Sequence, residues 1–144
     1  METSERVFVD SNFLVGLFSK TDSLYSRANS IAGTLVQRAV PLVISDLIFL
    51  ETVTVLSQRR GKSVAREAGA YILSNPNLEI IHVDAILQND TWELFQAVEH
   101  KDISFVDCST AVVMRSESIS RILTFDAKDF KALQKHIRFS FFPV

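Results

Sequence analysis

Short apolar runs alternate along this chain with longer stretches whose apolar residues recur at helical spacing. Arg6-Val7-Phe8-Val9 is short, β-branched and aromatic, which fits a buried strand better than a helix turn. Phe13, Leu14, Leu17 and Phe18 then recur at helical spacing, and a longer helix over Asp22 to Arg38 carries Leu24, Ala28, Ile31, Leu35 and Val36 inward. Pro41 ends it. Leu42 to Ile44 makes a second strand, after which Ser45 or Asp46 caps a helix running through Leu47, Leu50, Val53 and Leu56. Another helix spans Ser63 to Leu73. Asn75-Pro76-Asn77 is a turn signal, and Leu78 to Val83 is a third strand. Asp84 then caps a helix reaching Val98, with Ile86, Leu87, Trp92, Leu94, Phe95 and Val98 as its apolar face. Phe105 to Arg115 reads as helix, Arg121 to Phe125 as strand, Lys128 to Lys135 as a short helix and Phe139 to Phe142 as a closing strand.

Strands alternating with helices imply an α/β fold, a mostly parallel sheet covered on both faces, because parallel neighbours need helical crossovers. In open sheets of this kind ligands bind beyond the carboxyl ends of the strands, where the strand order reverses.

A length of 144 residues suits one domain, 1–144, and 47% hydrophobic with 22% charged residues is a globular composition. The most apolar stretch, Leu42 to Leu56, is interrupted by Asp46 and Glu51 and is too short for a membrane span. Cys108 is alone and cannot form an internal disulfide, and Met1 to Arg6 lacks the layout of a secretory signal, so a cytoplasmic location is expected. The net charge of −2 offers no general field for a polyanion. The best local patch for nucleic acid is Arg59, Arg60, Lys62 and Arg66; the same residues also read as a basic helix C-terminus closed by Gly61.

Four acids carry the candidate chemistry. Asp10 closes the first strand and Asp126 the fourth, which puts both at the carboxyl edge of the sheet. Each has a structural alternative: Asp10 and Asp126 as helix caps, and Asp107 as partner of Ser104 in a capping box. Glu51 differs, because Leu47, Ile48, Thr54 and Val55 surround it on its helix and no Lys or Arg lies within one turn, so an ionised carboxylate there calls for a cation. If all four share a pocket, each pair at ~4 Å repels by roughly 4 kcal/mol at an effective dielectric near 20. A hard divalent ion relieves this, and oxygen ligands favour Mg²⁺ or Mn²⁺ over zinc. His82, His100 and His136 are neither at ligand spacing nor beside these acids and read as ordinary surface residues. No Gly-rich phosphate loop and no nucleophile elbow is present.

Val9-Asp10-Ser11-Asn12, the stretch Ser45 to Glu51, Ile103-Ser104-Phe105-Val106-Asp107 and Thr124 to Phe130 together resemble the PIN-domain ribonucleases, in order and almost end to end. Length and motif order are most similar to the single-domain VapC-like toxins of toxin–antitoxin pairs. The resemblance implies a three-layer α/β/α sandwich with strand order 3-2-1-4-5 and metal-dependent cleavage of RNA to 5′-phosphate and 3′-hydroxyl ends. It assigns Mg²⁺ or Mn²⁺ chiefly to Asp10 and Asp107, with Glu51 and Asp126 completing the site and Asn12, Ser104, Thr124 and Asp129 in support. It also implies a cognate antitoxin and a homodimer, for which Phe139 to Phe142 is either an interface or core.

Three rivals are weaker. A phosphoacceptor receiver module needs paired acids after the first strand and a Lys after the fifth; Asp10 is single and Pro143 follows the last strand. A haloacid-dehalogenase phosphatase needs a second Asp where Asn12 stands. The third is the same fold used without catalysis to bind RNA or a protein partner, against which the retention of all four acids weighs.

Overall fold

The computed structural model describes residues 5–144, so Met1 to Ser4 lie outside it. Its elements run β1 (Val7–Val9), α1 (Ser11–Phe18), α2 (Tyr25–Gln37), β2 (Leu42–Ser45), α3 (Asp46–Arg60), α4 (Lys62–Ser74), β3 (Leu78–Ile81), α5 (Ala85–Ala97), α6 (Phe105–Ser116), β4 (Arg121–Leu123), α7 (Ala127–Leu133) and β5 (Ser140–Phe141). All strand pairs are parallel and the order is β3-β2-β1-β4-β5. This is the expected α/β sandwich with its helical crossovers.

β1 is the central strand. Phe8 pairs with Val43 on one side and Ile122 on the other, and all three are fully buried. Burying a side chain such as Phe8 is worth about 1.5–3 kcal/mol, so this strand anchors the fold. The chain leaves β1 toward β2 and later returns on the opposite side as β4, which places the reversal point between β1 and β4. The Asp10 N–H donates to Leu123 O at 3.0 Å, carrying the ladder one residue past the strand and fixing Asp10 at that point.

Helix starts follow the expected chemistry. Ser45 Oγ accepts from Ile48 N–H at 3.2 Å, and Asp84 Oδ1 accepts from Leu87 N–H at 2.9 Å. Ser104 and Asp107 form the full capping box, both bonds at 3.0 Å. Asp126 does not cap α7: its side chain makes no cap hydrogen bond. β4 ends at Leu123, so Thr124 to Asp126 is a connecting segment rather than strand.

Several apolar residues face outward, against the expectation from spacing. α5 packs on α6 and buries a stripe at helical period, Leu87, Thr91, Leu94 and Val98, with Phe95 at its margin edge-on to Phe105; Ile86 and Trp92 are left exposed and Phe95 partly so. Val36 on α2 and Leu50 on α3 are exposed for the same reason; α3 buries Ile48, Thr52 and Leu56 instead. Phe139 and Phe142 are buried, so the closing segment belongs to the core. Among the described residues no helix is long and apolar enough to cross a membrane.

Candidate active site

The parallel neighbours β1 and β4 deliver Asp10 and Asp126 to one edge, and helices carry Glu51 and Asp107. Asp10 sits between β1 and α1, Glu51 in the second turn of α3, Asp107 in the first turn of α6, and Asp126 between β4 and α7 with Asp129 one turn later. Asp10 is 5% exposed, and two donors hold its carboxylate: the Ser11 N–H on Oδ1 at 2.8 Å and the Thr124 hydroxyl on Oδ2 at 2.9 Å. Thr124 Oγ1 in turn accepts the Asp126 N–H at 2.9 Å and Asn12 Nδ2 at 3.2 Å. Asn12 Oδ1 accepts the Phe125 N–H at 3.2 Å. One network therefore ties the end of β1 to the segment after β4.

The electrostatics link the acids as a group. Burial pushes the Asp10 carboxyl up to about 7; the Thr124 and Ser11 hydrogen bonds oppose this, and the charges of Asp107 and Glu51 add to it. Asp107 is raised by burial first, against its bonds to Ser104, with Glu51 and Asp129 adding repulsion. Asp126, on the exposed rim, is raised by partial desolvation, then by the hydrogen bond and charge of Asp129 and the charge of Asp107. Glu51 does not stand unpartnered in an apolar setting: it is half-buried and accepts a short hydrogen bond from the Ser11 hydroxyl.

One histidine, exposed as expected, lies near the supporting acid Asp129. His100, Asp102 and Asp129 each offer a ligand atom within 4.8 Å of the others, the group of that kind among the described residues. His100 thus stands beside an acid of the site, brought there by the loop before α6. Asp10, Glu51, Asp107 and Asp126 are linked by charge, Asp10 to both Asp107 and Glu51, and Asp126 to Asp107, and Ser11 bridges Asp10 and Glu51 by hydrogen bonds. All of these donors are carboxylate or imidazole, and those four are all oxygen, the chemistry that suits Mg²⁺ or Mn²⁺. Cys108, next to Asp107, is buried and its thiol is pushed up to about 11, by burial first and Asp107 second, so it is not a reactive thiolate.

Sequence reasoning did not find Ser11, His100 or Asp102. A hydroxyl directly after a strand-end Asp is a usable signal for Ser11, but its partner Glu51 lies in another helix. The basic group is elsewhere: Arg59 and Arg60 end α3, Gly61 turns the chain at φ 93°, and Lys62 and Arg66 border the groove between α3 and α4. Arg60 is nine residues beyond Glu51 on α3, about 14 Å along the axis.

The sequence matches the PIN domain family over residues 7–135. The Mycobacterium tuberculosis protein VapC20, described as a 23S rRNA-specific endonuclease, is 30% identical over 126 residues, 88% of this chain and 92% of that protein. Its crystal structure, described as that of a sarcin–ricin loop cleaving toxin, superposes with a TM-score of 0.77 and covers 88% of this chain and 94% of its own. VapBC2 of Rickettsia felis, solved bound to a promoter DNA fragment, shares the fold with a TM-score of 0.67 at 22% identity, covering 94% and 98% of the two chains. By sequence along most of its length and by fold, this chain belongs to the PIN-domain family and is a VapC20-like homologue.

Proposed function

We propose that the protein is a Mg²⁺- or Mn²⁺-dependent endoribonuclease and the toxin of a toxin–antitoxin pair, with Asp10, Glu51, Asp107 and Asp126 as its catalytic acids. The observation that carries this is the hydrogen-bond network at the β1/β4 edge, in which Ser11 joins buried Asp10 to Glu51 and Thr124 joins Asp10 to the Asp126 backbone, gathering carboxylates for which a cation is the natural counter-charge. Their oxygen donor set fits the ion, so Asp10 and Asp107 would hold it, with Glu51 and Asp126 completing the site. When bound, the ion neutralises charge building on the phosphodiester and lowers the pKa of a water.

The protein's own residues set the geometry. The Thr124 hydroxyl orients Asp10, the Ser104 amide orients Asp107, and the Ser11 hydroxyl orients Glu51. Asn12 holds the segment that carries Asp126. Asp129, with His100 and Asp102 beside it, extends the negative rim on the α7 side. These contacts fix the carboxylates before substrate arrives, which is the main contribution a protein makes to such a reaction.

VapC20 acts on 23S rRNA, so a stem-loop of the sarcin–ricin sequence is the first substrate to try. Purified protein is expected to cut it in Mg²⁺ or Mn²⁺ and not in EDTA; equal cutting in EDTA would refute the assignment. A cognate antitoxin is the expected protein partner, tested by co-purification with the product of the adjacent reading frame. A homodimer is the expected assembly. With Phe139 and Phe142 in the core, the exposed Ile86, Trp92 and Phe95 of α5 are the surface for it, and light scattering of Trp92→Glu against wild type tests this.

A further inference from the structure

We propose that Arg27, held over the ring of Phe125, is the substrate-binding cation of this edge and takes a phosphate of the RNA strand beside the bond that is cut. The inference rests on the ribonuclease reading above. Arg27 lies in the first turn of α2, is exposed, and places its Cζ 5.4 Å from the Phe125 ring centroid. Phe125 is itself fixed: its N–H is held by Asn12 and its ring packs on buried Phe13 at 5.8 Å. Its chain neighbours, Thr124 and Asp126, belong to the network that positions Asp10. The hydrogen bonds that place the carboxylates therefore also place the guanidinium.

Two further observations point to an anionic ligand. Among the described residues Arg27 has no acidic partner; the ion pairs there join Arg6 to Glu79 and Glu117, and His82 to Asp46. With no acid paired to it, the guanidinium lies on the aromatic face of Phe125, which holds it and leaves its donors free. Moreover a chain of net charge −2 whose acids gather at this edge repels RNA, so the strand needs a fixed cation at the rim. A guanidinium suits the task, since it stacks flat on a ring while its edge donates two parallel hydrogen bonds to a phosphate. Of the other basic residues, Arg59 and Arg60 end α3, with Arg60 donating to the Thr21 hydroxyl at 3.0 Å, and Lys62 and Arg66 begin α4.

The test measures cleavage in Mn²⁺ and fluorescence-anisotropy binding in Ca²⁺ of one labelled sarcin–ricin stem-loop, over a series of KCl concentrations. Arg27→Ala is expected to raise KM and Kd about tenfold with kcat within about twofold, and to reduce the slope of log affinity against log salt by about 0.7–0.9, the value for one phosphate. Arg27→Lys is expected to restore the slope but only part of the affinity, because an ammonium lacks the planar fork. Phe125→Leu is expected to weaken binding in the wild-type background and to add nothing in Arg27→Ala. Arg115→Ala, at the opposite end of α6, serves as the unchanged control. If Arg27→Ala binds and cleaves as wild type does, the proposal is overturned and the nuclease reading stands. If wild type binds in an Arg27-dependent way but never cleaves, the nuclease reading alone is lost; if wild type binds no RNA, both are.

Discussion

Replacing Asp10 by asparagine is expected to make the ion-free protein more stable while abolishing cleavage. The buried carboxyl is raised from 3.8 to about 7, which at about 1.4 kcal/mol per pH unit means that ionised Asp10 destabilises the fold by about 4 kcal/mol. The sign follows from proton counts. Between about pH 4 and pH 7 the folded state binds more protons than the unfolded chain, so stability falls as pH rises through that window and levels off above it. The substituted amide carries no charge to desolvate. It keeps the bond from Ser11 N–H but turns its NH₂ toward Thr124 Oγ1, which already accepts two donors, at a cost of about 1 kcal/mol. The net gain above pH 7.5 is about 3 kcal/mol, or about 6–12 °C in Tm for a chain of this size. Thermal melts of both proteins in EDTA from pH 4.5 to 8.5 check this: the curves should lie close together at the acid end and separate as pH rises. Added Mn²⁺ should then stabilise wild type and leave the variant nearly unchanged. An Asp10→Asn protein that melts below wild type at pH 8 would mean that Asp10 is chiefly a helix cap, and the charge argument would be wrong.

Other substitutions separate positioning from folding. Thr124→Val removes the hydroxyl that donates to Asp10 and accepts from Asp126 N–H. It is expected to lower kcat/KM at pH 7 about tenfold and to move the acid limb of the pH profile upward, because Asp10 loses a bond that favours its ionised form. Ser104→Ala breaks the capping box and is expected to cost about 1 kcal/mol, a Tm loss of about 2–4 °C by calorimetry. Gly61→Ala meets no side chain, so its expected loss of roughly 1–2 kcal/mol comes from the backbone at φ 93°, and urea melts at unchanged m-value measure it.

The order of elements was legible because its causes are local. Val7 to Val9 is too short and too β-branched for a helix, and Ser45, Asp84 and the Ser104/Asp107 pair each cap the helix that follows. That Asp10 and Asp126 stand at one edge could be inferred as well, since the parallel neighbours β1 and β4 end on the same side. What spacing did not reveal was which face of a helix finds a neighbour. Ile86, Trp92, Phe95, Val36 and Leu50 are apolar at helical positions yet exposed, because a helix buries only the stripe that its packing partner covers.

The site divides in the same way. The sequence by itself determined that Asp10, Asp107 and their capping partners stand at helix starts, since each is fixed by residues within one turn. Only the tertiary structure decided that Ser11 satisfies Glu51, that His100 and Asp102 join Asp129, and that Arg27 lies on Phe125. Those pairings join residues on separate elements, and neither periodicity nor capping rules carry information across such separations; the packing of α1, α2, α3 and α7 around the sheet brings them within reach.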